Sequence, residues 1–153
     1  MAEYTATVKW SRQPSEIFTD NRYSRAHQWE FDGGVTVPAS SSPHVVKVPL
    51  SNPNAVDPEE AFVASLSSCH MLFFLSFAAS KKFVIESYVD RAVGVIGKNA
   101  EGRQAMLRVV LRPAITFSGT PPTPDEMSAL HDRAHHECYI ANSVTTKVEV
   151  EPA

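Results

Sequence analysis

Asp57-Pro58-Glu59-Glu60 and the run behind it, Ala61 to Ser80 (AFVASLSSCHMLFFLSFAAS), decide the reading of this chain. The first four residues form a helix start: aspartate as N-cap, proline at the first helical position and a glutamate three residues after the cap. The twenty residues that follow carry no fixed charge. About twenty apolar residues is also a bilayer-spanning length. Ser65, Ser67, Ser68, Cys69, His70 and Ser76 interrupt this run, however, and nothing else in the sequence points to a membrane. A helix apolar nearly all round is therefore read as a buried central helix. In so short a chain, that burial is easier if a second subunit covers one side.

Working outward, the residues before the helix alternate with period two. Tyr4 to Trp10 and His27 to Phe31 read as strands, with Asp32-Gly33-Gly34 as a turn and Val35 to Val37 as the return. Val45 to Val48 is expected to be a further short extended run. After the helix, Ile85 to Ile96 reads as one strand and Gly97 to Gly102 as a hairpin loop. Met106 to Leu111 and Ala114 to Phe117 return, bent or broken at Pro113. Thr123-Pro124-Asp125-Glu126 repeats the helix-start chemistry, and the second helix runs to about Cys138. On it Met127, Leu130, Ala134 and Cys138 fall within about 60° of one another, which puts Cys138 on the buried stripe. Val144 to Val150 closes the chain as a strand. The order is α+β, with neither βαβα alternation nor a glycine-rich phosphate loop.

The 153 residues make one domain, 1–153, large enough to bury a core without staples. Fourteen basic residues against seventeen acidic ones give a formal charge of −3, so no polybasic surface invites nucleic acid or anionic lipid. Met1-Ala2-Glu3-Tyr4 opens no basic-then-apolar leader, which points to the cytoplasm, where a disulfide is more often catalytic than structural. The only two cysteines are Cys69 and Cys138. That is too few for a zinc cage on their own and enough for a redox pair.

Each cysteine taken singly is a small buried hydrophobe. Taken together, they sit on the inward sides of two helices, and helices packed about 8–10 Å apart can bring two sulfurs within disulfide reach. An unperturbed thiol near pKa 8.5 is only about 3% thiolate at pH 7, so a reactive one needs a cation beside it. Arg22 and Arg25, just before the second strand, are the candidates; a solvated loop charge is the plain reading of either. An arginine in an apolar site needs a carboxylate to hold it, and Glu59 is the candidate, although an acid in a first helical turn is favoured by the dipole alone. Glu59 and Cys69 are ten residues apart, about 15 Å along one straight helix. Both can serve one small substrate only if the helix breaks or Glu59 comes from a second chain, and a symmetric dimer is the simpler solution.

Asp57-Pro58-Glu59-Glu60, Cys69 ten positions after Glu59, and Cys138-Tyr139-Ile140-Ala141-Asn142-Ser143 resemble the OsmC/Ohr family, the osmotically inducible and organic hydroperoxide resistance proteins. The coarse order of elements agrees from Tyr4 to Glu151. The resemblance implies an OsmC/Ohr-like fold in which antiparallel β-sheets wrap two central helices in an intertwined homodimer. It implies a thiol-dependent peroxidase without cofactor or metal. Cys69 would be the peroxidatic cysteine and Cys138 the resolving one, while Glu59 would fix an arginine against the Cys69 thiolate. Arg25 is the favoured arginine and Arg22 the alternative. Organic hydroperoxide would be the substrate, and a dithiol, lipoyl-type in this family, the reductant. Leu66, Leu72 and Phe73 near Cys69 would suit an organic hydroperoxide better than hydrogen peroxide. The chain departs from the hydroperoxide-resistance branch at His70, where that branch usually has an aromatic, and in a longer loop before the arginines.

Three other readings compete. His131, His135, His136 and Cys138 invite a metal, since His131 and His135 have ligand spacing, but His136 points about 100° away and no glutamate follows the first histidine. By helical phase, His131 and His135 are expected beside the buried stripe, as boundary residues. His70 next to Cys69 suggests a Cys-His acyl-transfer pair, but neighbours on a helix point about 100° apart, so a histidine bonded within the core or interface is expected. A stress-induced binding protein whose cysteines merely pack is the non-enzymatic alternative.

Overall fold

The structure is a computed structural model that describes residues 1–151. The chain divides into two compact units, Met1–Ala61 and Phe62–Ala153.

In the first unit β1 (Ala6–Lys9), β2 (His27–Phe31) and β3 (Thr36–Ala39) form an antiparallel meander in that order. Trp29 stands opposite Val8 on one side and Val37 on the other. The β2–β3 turn relies on Gly34, whose φ of +85° L side chains rarely adopt. Val45 to Val48, expected to be extended, instead lies in turns: the N–H groups of Val45 and Val46 bond back to the Ser42 carbonyl at 3.0 and 2.9 Å. β-Branched residues there had no neighbouring strand to pair with, and the local turn satisfied the backbone.

Helix α1 (Pro58–Ser80) starts as its sequence dictates. The Asp57 carboxylate accepts from Glu60 N–H at 2.8 Å and the Glu60 carboxylate accepts from Asp57 N–H at 3.2 Å, a reciprocal capping box. The helix is long and apolar enough to cross a membrane by length and composition. Within the chain it buries one stripe, Leu66, His70, Phe74 and Ala78, at steps of four. Its C-terminus is a Schellman turn: Lys82 takes φ +67°, and Phe83 N–H bonds the Ala78 carbonyl at 3.0 Å.

The second unit holds two small sheets. β4 (Val84–Asp90) pairs antiparallel with β7 (Pro113–Ser118). β5 (Val93–Lys98) pairs antiparallel with β6 (Gln104–Leu111), and β6 pairs parallel with β8 (Lys147–Val150). The single strand expected over Ile85 to Ile96 is thus two strands in different sheets. The break has a tertiary cause: the Asp90 carboxylate accepts from Arg112 N–H at 2.6 Å and from Ser67 Oγ at 2.5 Å. Helix α2 (Pro124–Glu137) opens with a capping box between Thr123 and Glu126.

Two apolar cores result. Leu66, Val109 and Leu111 anchor one, ringed by Phe62, Met106, Ile140 and Val148. Phe74, Ala78, Leu130 and Ala134 anchor the other, against Ile85, Tyr88, Ile115 and Phe117. Helix α1 approaches β5 so closely that a Cβ on Gly94 would sit 2.6 Å from Val63 Cγ2 and 2.7 Å from Met106 Sδ. Only glycine fits there.

Candidate functional site

Cys69 lies on α1 between the residues that anchor the two cores, Leu66 before it and Phe74 after it. α2 packs against this part of α1: Cys138 meets Cys69, His131 meets His70, and Arg133 lies over the ring of Phe77. Cys138 is the C-cap of α2, where the chain leaves the helix at ψ 111°. Its sulfur is 1% exposed and accepts a hydrogen bond from Ala141 N–H at 3.4 Å. Cys69 is half-buried, and both cysteines are free thiols.

The two thiols are neighbours. Burial first, and then the hydrogen bond to Cys69, push the Cys138 thiol up to about 11. At neutral pH Cys138 therefore stays protonated, with its S–H available to the neighbouring sulfur. Such a pair offers one accessible thiol and one enclosed thiol that holds its proton until a reaction takes it.

The remaining expected site residues are placed as follows. Arg25 is half-buried and turned into its own loop: its guanidinium donates to Asn21 O at 3.1 Å, to Asn21 Oδ1 at 2.9 Å and to Tyr23 O, and it stacks 3.7 Å over the Tyr23 ring. Arg22 is exposed, and its backbone N–H bonds Asp20 Oδ1 at 2.9 Å. Glu59 has one carboxylate oxygen buried with no hydrogen-bond donor among the described residues, and it makes no ion pair with Arg25. Leu66 is fully enclosed in its core at 1% exposure. Leu72 lies on the outer side of α1, 60% exposed, and Phe73 packs edge-on to Tyr139 at 5.2 Å. The three apolar residues therefore do not line one common wall.

Sequence reasoning expected His70 to be bonded within the core or interface but missed its partner. His70 Nε2 and His131 Nδ1 are 3.0 Å apart, and the rings lie at an interplanar angle of 13°. Both residues are buried, at 1% and 4% exposure. His131 is thus a core residue rather than a boundary one, and its phase carried the signal: His131, Ala134 and Cys138 follow one another at i, i+3 and i+7. Burial, then the neighbouring His131 and His135, lower His70 to about 4. Burial also lowers His131, opposed by Asp132 and Asp90. His135 and His136 are exposed, and His136 bonds Glu137 at 3.2 Å. Among the described residues, no group of three or more His, Cys, Asp and Glu is gathered as a metal site.

The family model for OsmC-like protein matches residues 51–153. Along its whole length the chain is similar to the structure of an OsmC-like protein of unknown function from Vibrio cholerae, with 58% identity, 100% of each chain covered and a TM-score of 0.98. An organic hydroperoxide resistance protein from Elizabethkingia anophelis is similar at 19% identity, covering 99% of this chain and 94% of that one, with a TM-score of 0.71. The organic hydroperoxide resistance protein OhrB of Bacillus subtilis is similar at 15% identity, covering 99% and 98%, with a TM-score of 0.70. These last two likenesses speak to the fold alone. A comparison with the curated proteins finds no match. On the family match and the full-length likeness together, the chain belongs to the OsmC-like proteins and has their α+β fold.

Proposed function

We propose that this protein is a thiol-dependent peroxidase that reduces organic hydroperoxides in the cytoplasm as part of an oxidative-stress defence. One observation carries the reading: two free thiols from separate helices are neighbours, one half-buried and one enclosed.

The Cys69 thiolate attacks the distal oxygen of the hydroperoxide. The O–O bond breaks, the alkoxide takes a proton and leaves as alcohol, and Cys69 becomes a sulfenic acid. The Cys138 sulfur then attacks the sulfenic sulfur. Its proton and the sulfenic hydroxyl leave as water, and a Cys69–Cys138 disulfide forms. A dithiol of the lipoyl type returns both thiols by exchange and is itself oxidised to a disulfide. Leu72 and Phe73 would offer the apolar contact for the substrate's organic part, while Leu66 stays enclosed in its own core. Arg25, or Arg22, would hold the thiolate once released from its present contacts. Glu59 would hold that arginine. Since α1 is unbroken from Pro58 to Ser80, Glu59 would come from the second copy of a homodimer.

Consumption of cumene hydroperoxide with dihydrolipoamide tests this in wild type, Cys69→Ser and Cys138→Ser. Both variants are expected to lose turnover, and Cys138→Ser alone of the two should still accept one equivalent of oxidant. Turnover retained by Cys69→Ser would overturn the proposal. Faster consumption of hydrogen peroxide than of cumene hydroperoxide would overturn the substrate class.

A further inference from the structure

Next to the thiol pair, on the side toward Phe74, the two helices make a second polar contact that the peroxidase chemistry leaves unused. His70 follows Cys69 directly, and His131 stands seven residues, about two helical turns, before Cys138. Their single hydrogen bond, 3.0 Å long, joins α1 to α2 in a place closed to solvent. The Phe74 ring covers His131 at a centroid distance of 4.4 Å. The outward nitrogens, His70 Nδ1 and His131 Nε2, are buried and without a partner among the described residues.

A hydrogen bond between two imidazoles needs one N–H and one bare nitrogen at the contact. Two neutral rings satisfy it. When both rings are protonated, N–H faces N–H, and two like charges stand 3.0 Å apart in a desolvated site. The surroundings offer little compensation. From α2, Asp132 and His135 bear on the pair, and from β4, Asp90, while Tyr88 packs against the Phe74 ring that covers His131. Asp90 already accepts from Ser67 and Arg112, His135 is itself a base, and Tyr88 is kept protonated by burial. α1 contributes no fixed charge between Ala61 and Ser80.

We propose that the His70–His131 bond is the positioning element of the thiol site, a clamp that holds α1 and α2 in the register needed to close the Cys69–Cys138 disulfide and that releases when both rings are protonated. The inference rests on the peroxidase reading only for its purpose; the clamp itself is a statement about helix register. A disulfide forms only within a narrow window of Cα separation and torsion, so a small slip between two rigid helices is felt at the sulfurs. The effect is selective. Attack on a peroxide requires Cys69 alone, whereas closure requires both helices. A loosened clamp therefore prolongs the sulfenate and exposes it to further oxidation to sulfinate.

The test uses the full-length protein, with diamide as oxidant so that no hydroperoxide is involved. Disulfide closure is followed by alkylation and mass spectrometry from pH 8 to pH 3.5, a range that passes the point near 4 at which His70 takes its proton, in wild type, His131→Leu and His131→Gln. At pH 7.5, His131→Leu is expected to close about tenfold or more slowly than wild type. His131→Gln, whose amide can still meet His70, is expected to close within about threefold. As the pH falls, wild type should lag progressively behind His131→Gln, because a protonated His70 still donates to an amide oxygen. Closure at wild-type rate in a folded His131→Leu overturns the clamp. Should the leucine variant fail to fold, a wild-type to His131→Gln ratio that stays constant with pH overturns it. A protein that shows the clamp behaviour yet consumes no hydroperoxide overturns the peroxidase reading and leaves the clamp standing.

Discussion

A buried imidazole is stable as a neutral ring and costly as a cation, and this chain buries two. An unfolded chain takes up a proton on His70 near pH 6.5, whereas the folded protein resists until about 4. Because the folded state is the poorer proton binder, stability is complete above pH 6.5 and is lost as the pH falls toward 4. His131, lowered for the same reason, acts in the same direction. A shift of this size corresponds to about 3 kcal/mol at most for His70. Urea unfolding at pH 7.5 and at pH 4.5 should show that loss, and His70→Gln should lose clearly less. Identical losses in wild type and variant would mean that His70 is not the group responsible. At this scale the sequence was partly legible. The helical phase put Cys138 on the buried stripe of α2, where it is 1% exposed. The same phase put His131 beside the stripe, as a boundary residue, whereas it is 4% exposed. The partner that makes its burial tolerable lies 61 residues away and could not be read locally.

Elements were legible where their causes are local. Both helix starts are capping boxes written in four consecutive residues, Asp57 to Glu60 and Thr123 to Glu126, and both formed as spelled. β2 and the Pro113 break also follow from nearest neighbours. Ile85 to Ile96 was not legible as two strands, because the residues that separate β4 from β5 bond Asp90 to Ser67 and Arg112, 23 and 22 positions away. The end of α1 is another local matter. Lys82 holds φ +67°, a conformation in which an L side chain is strained and glycine is not. The Schellman bond from Phe83 to Ala78 fixes that turn. Lys82→Gly should therefore stabilise the protein by about 0.5–1 kcal/mol, set against the greater freedom of glycine in the unfolded chain. The urea midpoint should rise with no change in slope. A lower midpoint would mean that the lysine side chain contributes more than its backbone strain costs.

On the scale of the whole molecule, the apolar character of α1 exceeds what the rest of the chain covers. Of its apolar residues only Leu66, Phe74 and Ala78 are buried, while Leu72 is 60% exposed. Leu107, Ile96 and Val93 on the β5–β6 hairpin are exposed at 40, 48 and 43%. Apolar surface on this scale favours a partner, and the proposed homodimer supplies one of the same composition. It also resolves the position of Glu59, which stands in the first turn of an unbroken helix ten residues before Cys69. If each site joins Cys69 of one chain with Glu59 of the other, two inactive variants must complement. In a heterodimer of Cys69→Ser and Glu59→Gln, one site carries both substitutions and the other carries neither. Equal amounts co-refolded give about half heterodimers, and each has one intact site of two, so about a quarter of wild-type hydroperoxide turnover should return. If Glu59 served the cysteine of its own chain, every site in the mixture would carry one substitution or the other. Turnover would then stay at the level of the separate variants, and the composite site would be excluded.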